Sequence, residues 1–265
     1  MNTMMSNKLI FLVVLSFSWN LFAQAQDFGY EKNLAAYSNY LSKEYGIDWK
    51  VPERFTDLEK YFVPWKVRED SQKYIGNAYG PMFLSNNKDC MVMYPMEPHY
   101  ISEKDAEIAK KTIKINRALG DTVYEGPIDS IKRNLARGQI SGEIETALGL
   151  YYGLGVYSSD TAAAQFDFND YVTIIAGKKP REMFNADSIF VYDLQNADSV
   201  YFLDSSLEKM RKEKYPYCTG VFIHKNDRAT MDIKFFFTEE GKKKKNEYIK
   251  RLSKHIWYDD NFKHE

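Results

Sequence analysis

The 265-residue chain has little of the chemistry that identifies a site by spacing alone. It contains two cysteines and four histidines. Cys90 and Cys218 are too far apart to form a zinc knuckle, and no pair among His99, His224, His255 and His264 has the His-Glu-x-x-His spacing of a metalloprotease helix. No Gly-x-Ser-x-Gly elbow is present. The glycines at 149, 153 and 155 match neither a dinucleotide fingerprint nor a phosphate loop, which needs a helix start and usually a Lys-Ser or Lys-Thr pair after it. No cofactor is therefore called for. Charge of one sign is also lacking: 36 basic residues stand against 37 acidic ones, a balance that gives no electrostatic reason to expect nucleic acid as a partner.

Long apolar runs are confined to the start. Lys8, the stretch Leu9 to Phe17 and the small-residue pattern Ala23-Gln24-Ala25 have the layout of a secretory signal peptide cleaved after Ala25. The apolar stretch is far shorter than the roughly 20 residues that span a bilayer. Residues 1–25 are thus read as a leader and 26–265 as a single domain, exported to the periplasm or beyond, without membrane insertion once the leader is removed. In such a compartment disulfides persist. Cys90 and Cys218 both lie in strand-like runs, which leaves a bridge between them and two inert buried thiols both open.

Helical and strand periods both appear. Leu34, Tyr37, Leu41 and Tyr45 predict a helix face that Gly46 stops, and Ile47, Trp49 and Val51 alternate as in a short edge strand. A short helix capped by Thr56 is one reading of the aromatic stretch that follows. "PMFLSNNKDCMVMYP" reads as a hairpin ended by Pro95. Ser102 and Asp105 form a capping-box start for a helix that Gly120 ends. Ile128, Ile131 and Leu135 predict a second, shorter helix stopped by Gly138, with a flexible loop beyond it, and the two helices are expected to cover one face of a sheet. The repeat of Asn-Ala-Asp-Ser at Asn185 and Asn196 predicts two strands. Together these elements predict an α+β fold, mostly antiparallel sheet with helices packed on it, ending in a β-hairpin and a helix.

The C-terminal hairpin is the most specific prediction. A three-residue loop, Asn226-Asp227-Arg228, sets Ile223 opposite Met231, Val221 opposite Ile233 and Thr219 opposite Phe235, so the smaller apolar side chains share one face. His224 then lies on the opposite, more polar face beside Thr230, with Asp232 diagonal to it. Thr238 caps the last helix, whose buried arc holds Tyr248, Ile249, Leu252 and Ile256, and Gly241 lets its first turn approach the sheet. Lys242 to Lys245 fan around this helix and cannot form one basic face.

His224 and Asp232 are the acid-base pair that this register offers, since diagonal neighbours on a sheet face can approach each other. The plain alternative is a partly exposed histidine near a turn. Aromatic content of 15% could suit glycan stacking, but the same composition suits a β-rich core and an aromatic-rich surface, which is the favoured reading. The tail "YCTGVFIHKNDRATMDIKFFFTEEGKKKKNEYIKRLSKHIWY", with "FNADSIFVYDL" and the "FAQAQ" leader ending, resembles uncharacterised exported proteins of Bacteroidetes bacteria. The resemblance implies export from a Gram-negative cell and no mechanism. The expectation is an exported, non-catalytic binding or envelope-associated protein whose partner is a protein or glycan of the cell envelope. The alternative is a periplasmic or secreted hydrolase built from residues distant in sequence.

Overall fold

The computed structural model describes residues 33–66, 77–111, 126–148, 167–194 and 200–263; residues 1–25, expected to be a leader, and Gly120, Gly149, Gly153, Gly155, Asn196 and His264 lie outside them. In chain order the elements are helix α1 (Leu34–Tyr45) and strands β1 (Ile47–Trp49), β2 (Phe55–Asp57), β3 (Val63–Lys66), β4 (Asn77–Ser85) and β5 (Cys90–Pro95). Helices α2 (Glu103–Lys111), α3 (Ile128–Ala147) and α4 (Phe168–Tyr171) follow, then β6 (Val172–Ala176), α5 (Lys178–Phe184), β7 (Ser188–Leu194), β8 (Tyr201–Phe202) and α6 (Ser205–Lys214). The chain continues through β9 (Tyr217–His224), β10 (Met231–Phe237), α7 (Glu239–Lys243), α8 (Lys245–Leu252) and β11 (Ile256–Tyr258). The fold is α+β, with every strand pairing antiparallel.

The hairpin β9–β10 forms in the expected register, with Met231 opposite Ile223, Ile233 opposite Val221 and Phe235 opposite Thr219. It stands at the centre of a nine-stranded sheet. β9 pairs outward with β7 and then β6, while β10 pairs with β5, followed by β4, β3 and β8; β2 also pairs with β4. β1 and β11 make a separate two-stranded sheet.

Alternation along the strands gives the large sheet two covered faces. Val221, Ile223, Ile233, Phe235 and Phe237 face a core completed by α1, α8 and the β1–β11 pair. Phe222, Phe236, Met91 and Met93 face a second core closed by Ile140 and Ile144 of α3 and Leu207 of α6. The face expected to be more polar is therefore a buried one. Its few polar groups are islands within an apolar layer.

The second core also explains why α3 runs on past Gly138. A glycine inside a helix costs about 1 kcal/mol relative to alanine. Ile140 and Ile144 continue the apolar stripe beyond it, both at most 3% exposed, and their burial outweighs that cost. Residues 138–147, expected as a stop and a loop, are thus helix. Of the two helices expected on one face, α3 packs on the sheet and α2 packs against α3.

Thr56 is a strand residue rather than a helix cap, because Phe55, Thr56 and Asp57 pair with Ser85, Leu84 and Phe83. The two cysteines are free thiols, which corrects the bridge considered above. Cys90 sits opposite Phe237 in the first core and Cys218 opposite Phe236 in the second, so the sheet itself lies between them. The final helix keeps its Thr238 cap, whose hydroxyl accepts from the Gly241 N–H at 3.1 Å, but breaks at Lys244 into α7 and α8. A Cβ on Gly241 would lie 2.1 Å from the Asp89 carbonyl oxygen, which is the close approach its lack of side chain permits. The lysines do fan out: Lys243 meets Glu240, Lys244 meets Asp89 and Lys245 meets Asp193.

Candidate functional site

At the turn end of the central hairpin, Ser188, His224, Thr230 and His99 form a row across four chain segments. Ser188 pairs with His224 through the β7–β9 ladder, and Thr230 exchanges backbone hydrogen bonds with His99 at 3.0 and 2.7 Å. The row exists because residue 99 follows β5 back along β10 just where β10 begins. The His224 ring is fixed by a 2.9 Å hydrogen bond between Nδ1 and the Thr230 hydroxyl, and it meets the Phe190 ring edge-on at 6.5 Å. Burial pushes the His224 imidazole below its usual pKa, against the opposing influence of Asn226, Asp187 and Asp227.

The early part of α3 crosses this row. Lys132, Arg133 and Ala136 join His99, Ile101, His224 and the turn residues 226–228 around a small cleft of about 280 Å³, including the part open to solvent. Lys132 bridges to Asp227 at 2.8 Å. Burial alone would lower the Lys132 pKa, but the hydrogen bond and charge of Asp227 outweigh it and hold the ammonium above its usual value. Arg228 donates to the Asp259 carbonyl at 3.0 Å and lies over the Phe262 ring. Arg133 is exposed and makes no ion pair with the described residues.

Asp232 does not enter this cleft. Its carboxylate is 1% exposed and accepts from Lys234 Nζ at 2.8 and 2.7 Å and from the Tyr79 hydroxyl at 2.6 Å. Lys234 is wholly buried, with the rings of Tyr79, Phe222 and Tyr192 within 5.2 to 5.4 Å of its ammonium. Burial works against the charged lysine, yet the negative charge of Asp232, with a contribution from Glu143 of α3, holds it protonated. His224 and Asp232 therefore share a sheet face, while their hydrogen bonds go to Thr230 on one side and to Lys234 and Tyr79 on the other.

The remaining titratable candidates are also turned inward. Burial pushes the Cys90 thiol far up and the Cys218 thiol up to about 12, so neither is a nucleophile at neutral pH. His255 is 5% exposed, and its Nε2 accepts from the Glu53 backbone N–H at 3.3 Å. Among the described residues no group of three His, Cys, Asp or Glu side chains could hold a metal ion, and no helix is long and apolar enough to cross a membrane.

Sequence reasoning reached His224 but not the residues that share its cleft. His99, Lys132 and Arg133 arrive from segments about 90 to 125 residues away in sequence, and no local spacing marks them. Lys234 was legible in principle. In "MDIKFFF", Asp232 and Lys234 are the only charges in an otherwise apolar strand, and their i, i+2 spacing puts both on one face. No protein-family model, curated protein or solved structure matches the chain.

Proposed function

We propose that the chain is an exported, non-catalytic binding or cell-envelope-associated protein. One observation carries this reading. The groups that the sequence singles out for acid-base or nucleophilic chemistry are committed to internal hydrogen bonds or buried: His224 Nδ1 on Thr230, both Asp232 oxygens on Lys234, and both thiols in the two cores.

The ligand seat that fits this reading is the cleft beside His224. Three cationic side chains and one carboxylate line it, and Lys132 and Asp227 already satisfy each other. The volume of the cleft includes open solvent and is no enclosed ligand pocket. The cleft therefore has room only for the end of a ligand, one small anionic group such as a carboxylate or phosphate on an envelope molecule, met at its mouth by Arg133 and the two imidazoles.

Two measurements test the proposal. An NMR titration with acetate, inorganic phosphate and N-acetylglucosamine, read at the ring protons of His99 and His224, should give saturable shifts with the anions that Arg133→Ala removes. No saturable shift with any of the three would exclude the cleft as the seat. Turnover on a panel of ester, phosphoester and glycoside substrates that His224→Ala abolishes would overturn the non-catalytic reading in favour of a hydrolase. Cell fractionation checks export, and uncleaved protein in the cytoplasm would refute it.

A further inference from the structure

β6 closes one side of the nine-stranded sheet, and its outer edge pairs with no strand among the described residues. Natural sheets usually blunt such an edge with a charge, a proline or a bulge, because its unpaired backbone groups form a template for another strand. Val172-Thr173-Ile174-Ile175-Ala176 has none of these. Its pairing with β7 is regular over all five residues. Thr173 and Ala176 are exposed, Ile174 is 42% exposed, and Tyr171, just before the strand, is 41% exposed.

The charges nearest this edge are segregated by sign. Asp167 and Asp170 precede the strand, and Lys178, Lys179 and Arg181 follow it, with Glu182 the first acid after them; all six are exposed. Arg181 already reaches Asp187 at 3.4 Å, whereas Lys178 and Lys179 make no ion pair with the described residues. An identical strand laid alongside in parallel would set like charges together. Laid antiparallel with Ile174 opposite Ile174, it sets Val172 against Ala176 and brings Asp170 toward Lys178 at both ends.

We propose that β6 docks a second copy of this chain, antiparallel and about a two-fold axis at Ile174, so that the two large sheets join edge to edge. The contact is isologous and pairs each β6 edge with the other, so it closes at a dimer and does not propagate through β6. Five strand residues with Tyr171 make a small interface, so the dimer is weak and depends on concentration. The proposal is independent of the cleft beside His224.

Analytical ultracentrifugation of the full chain, expressed with its native leader and purified, tests this over a dilution series. The wild type should show a monomer–dimer equilibrium. Ile174→Lys should sediment as a monomer at every concentration, with an unchanged melting temperature because the side chain is exposed. Asp170→Lys and Lys178→Asp should each weaken the dimer by about tenfold, since the two-fold axis repeats every pair, and the double variant should restore it. A wild type that is monomeric throughout, a dimer untouched by Ile174→Lys, or a charge swap that fails to restore association overturns the proposal.

Discussion

The Tyr192 ring lies against the α-carbon of Gly220, its partner across the β7–β9 ladder, so closely that a Cβ on Gly220 would sit 2.0 Å from the ring. Gly220 in turn pairs with Lys234 on β10. The missing side chain is what lets an aromatic ring fold down over the middle strand and reach the buried ammonium, an arrangement in which an aromatic compensates for glycine in a sheet.

Gly220→Ala should therefore do more than stiffen a strand. The methyl group must push Tyr192 away from Lys234, and overpacking of this kind costs about 1–3 kcal/mol. Urea denaturation should show that loss. A Tyr192→Ala, Gly220→Ala double variant should be less destabilised than the sum of the single changes, because removing the ring removes the clash.

The buried ion pair makes an asymmetric prediction. Lys234→Met leaves Asp232 charged and uncompensated in the second core and should cost about 3–5 kcal/mol. Adding Asp232→Asn should recover much of that loss, since it removes the uncompensated buried charge and leaves an amide whose desolvation costs far less. Equilibrium unfolding of the two single variants and the double variant gives the coupling directly, and additive losses would contradict the geometry.

The thiols should behave as two separated, inert groups. The native protein should not react with a thiol reagent at neutral pH, because Cys90 and Cys218 are fully buried and their thiolates are disfavoured. After denaturation two thiols should titrate, with or without prior reductant. Fewer than two in the unreduced sample would show a bridge that the opposite-face placement forbids.

Stability should fall on mild acidification for a reason that can be assigned. Burial holds the folded pKa of His224 and of His255 below the usual 6.5. The unfolded chain then binds more protons, so the stability present above pH 6.5 is lost as the pH drops through the lowered folded values. His224→Asn and His255→Asn should each flatten this part of the profile in thermal melts between pH 7 and about 5. Asp204, held below its usual 3.8 by its bonds from Lys60 and Ser206, acts only at lower pH, whereas burial raises the Glu145 carboxyl, which opposes the histidines at the acid end of the window.

Local patterns reached those parts of the fold that local rules determine. The helix ended by Gly46, the capping box in which Asp105 accepts from the Ser102 N–H at 2.9 Å, and the hairpin register set by Asn226-Asp227-Arg228 all follow from residues within one or two turns of each other. Thr56 and Gly138 were misread because distant partners decide them: β4 draws Thr56 into the sheet, and the second core keeps α3 helical past its glycine. The same limit applies to the cleft. His224 was placed beside Thr230 from the register alone, but His99 and α3 reach it only through the tertiary fold.

The central hairpin has a further consequence for how the molecule assembles. Without β9 and β10, the strands leading outward from β5 and those leading outward from β7 have no ladder between them. The elements made first, from α1 to β7, thus wait as two unjoined half-sheets until residues 217–237 are available to bridge them. Contacts of such long sequence separation fold slowly, since loop closure is paid before pairing rewards it. The hairpin is the keystone of the folding reaction, and the strand edges that flank its empty place are where an incomplete chain is most prone to pair with another.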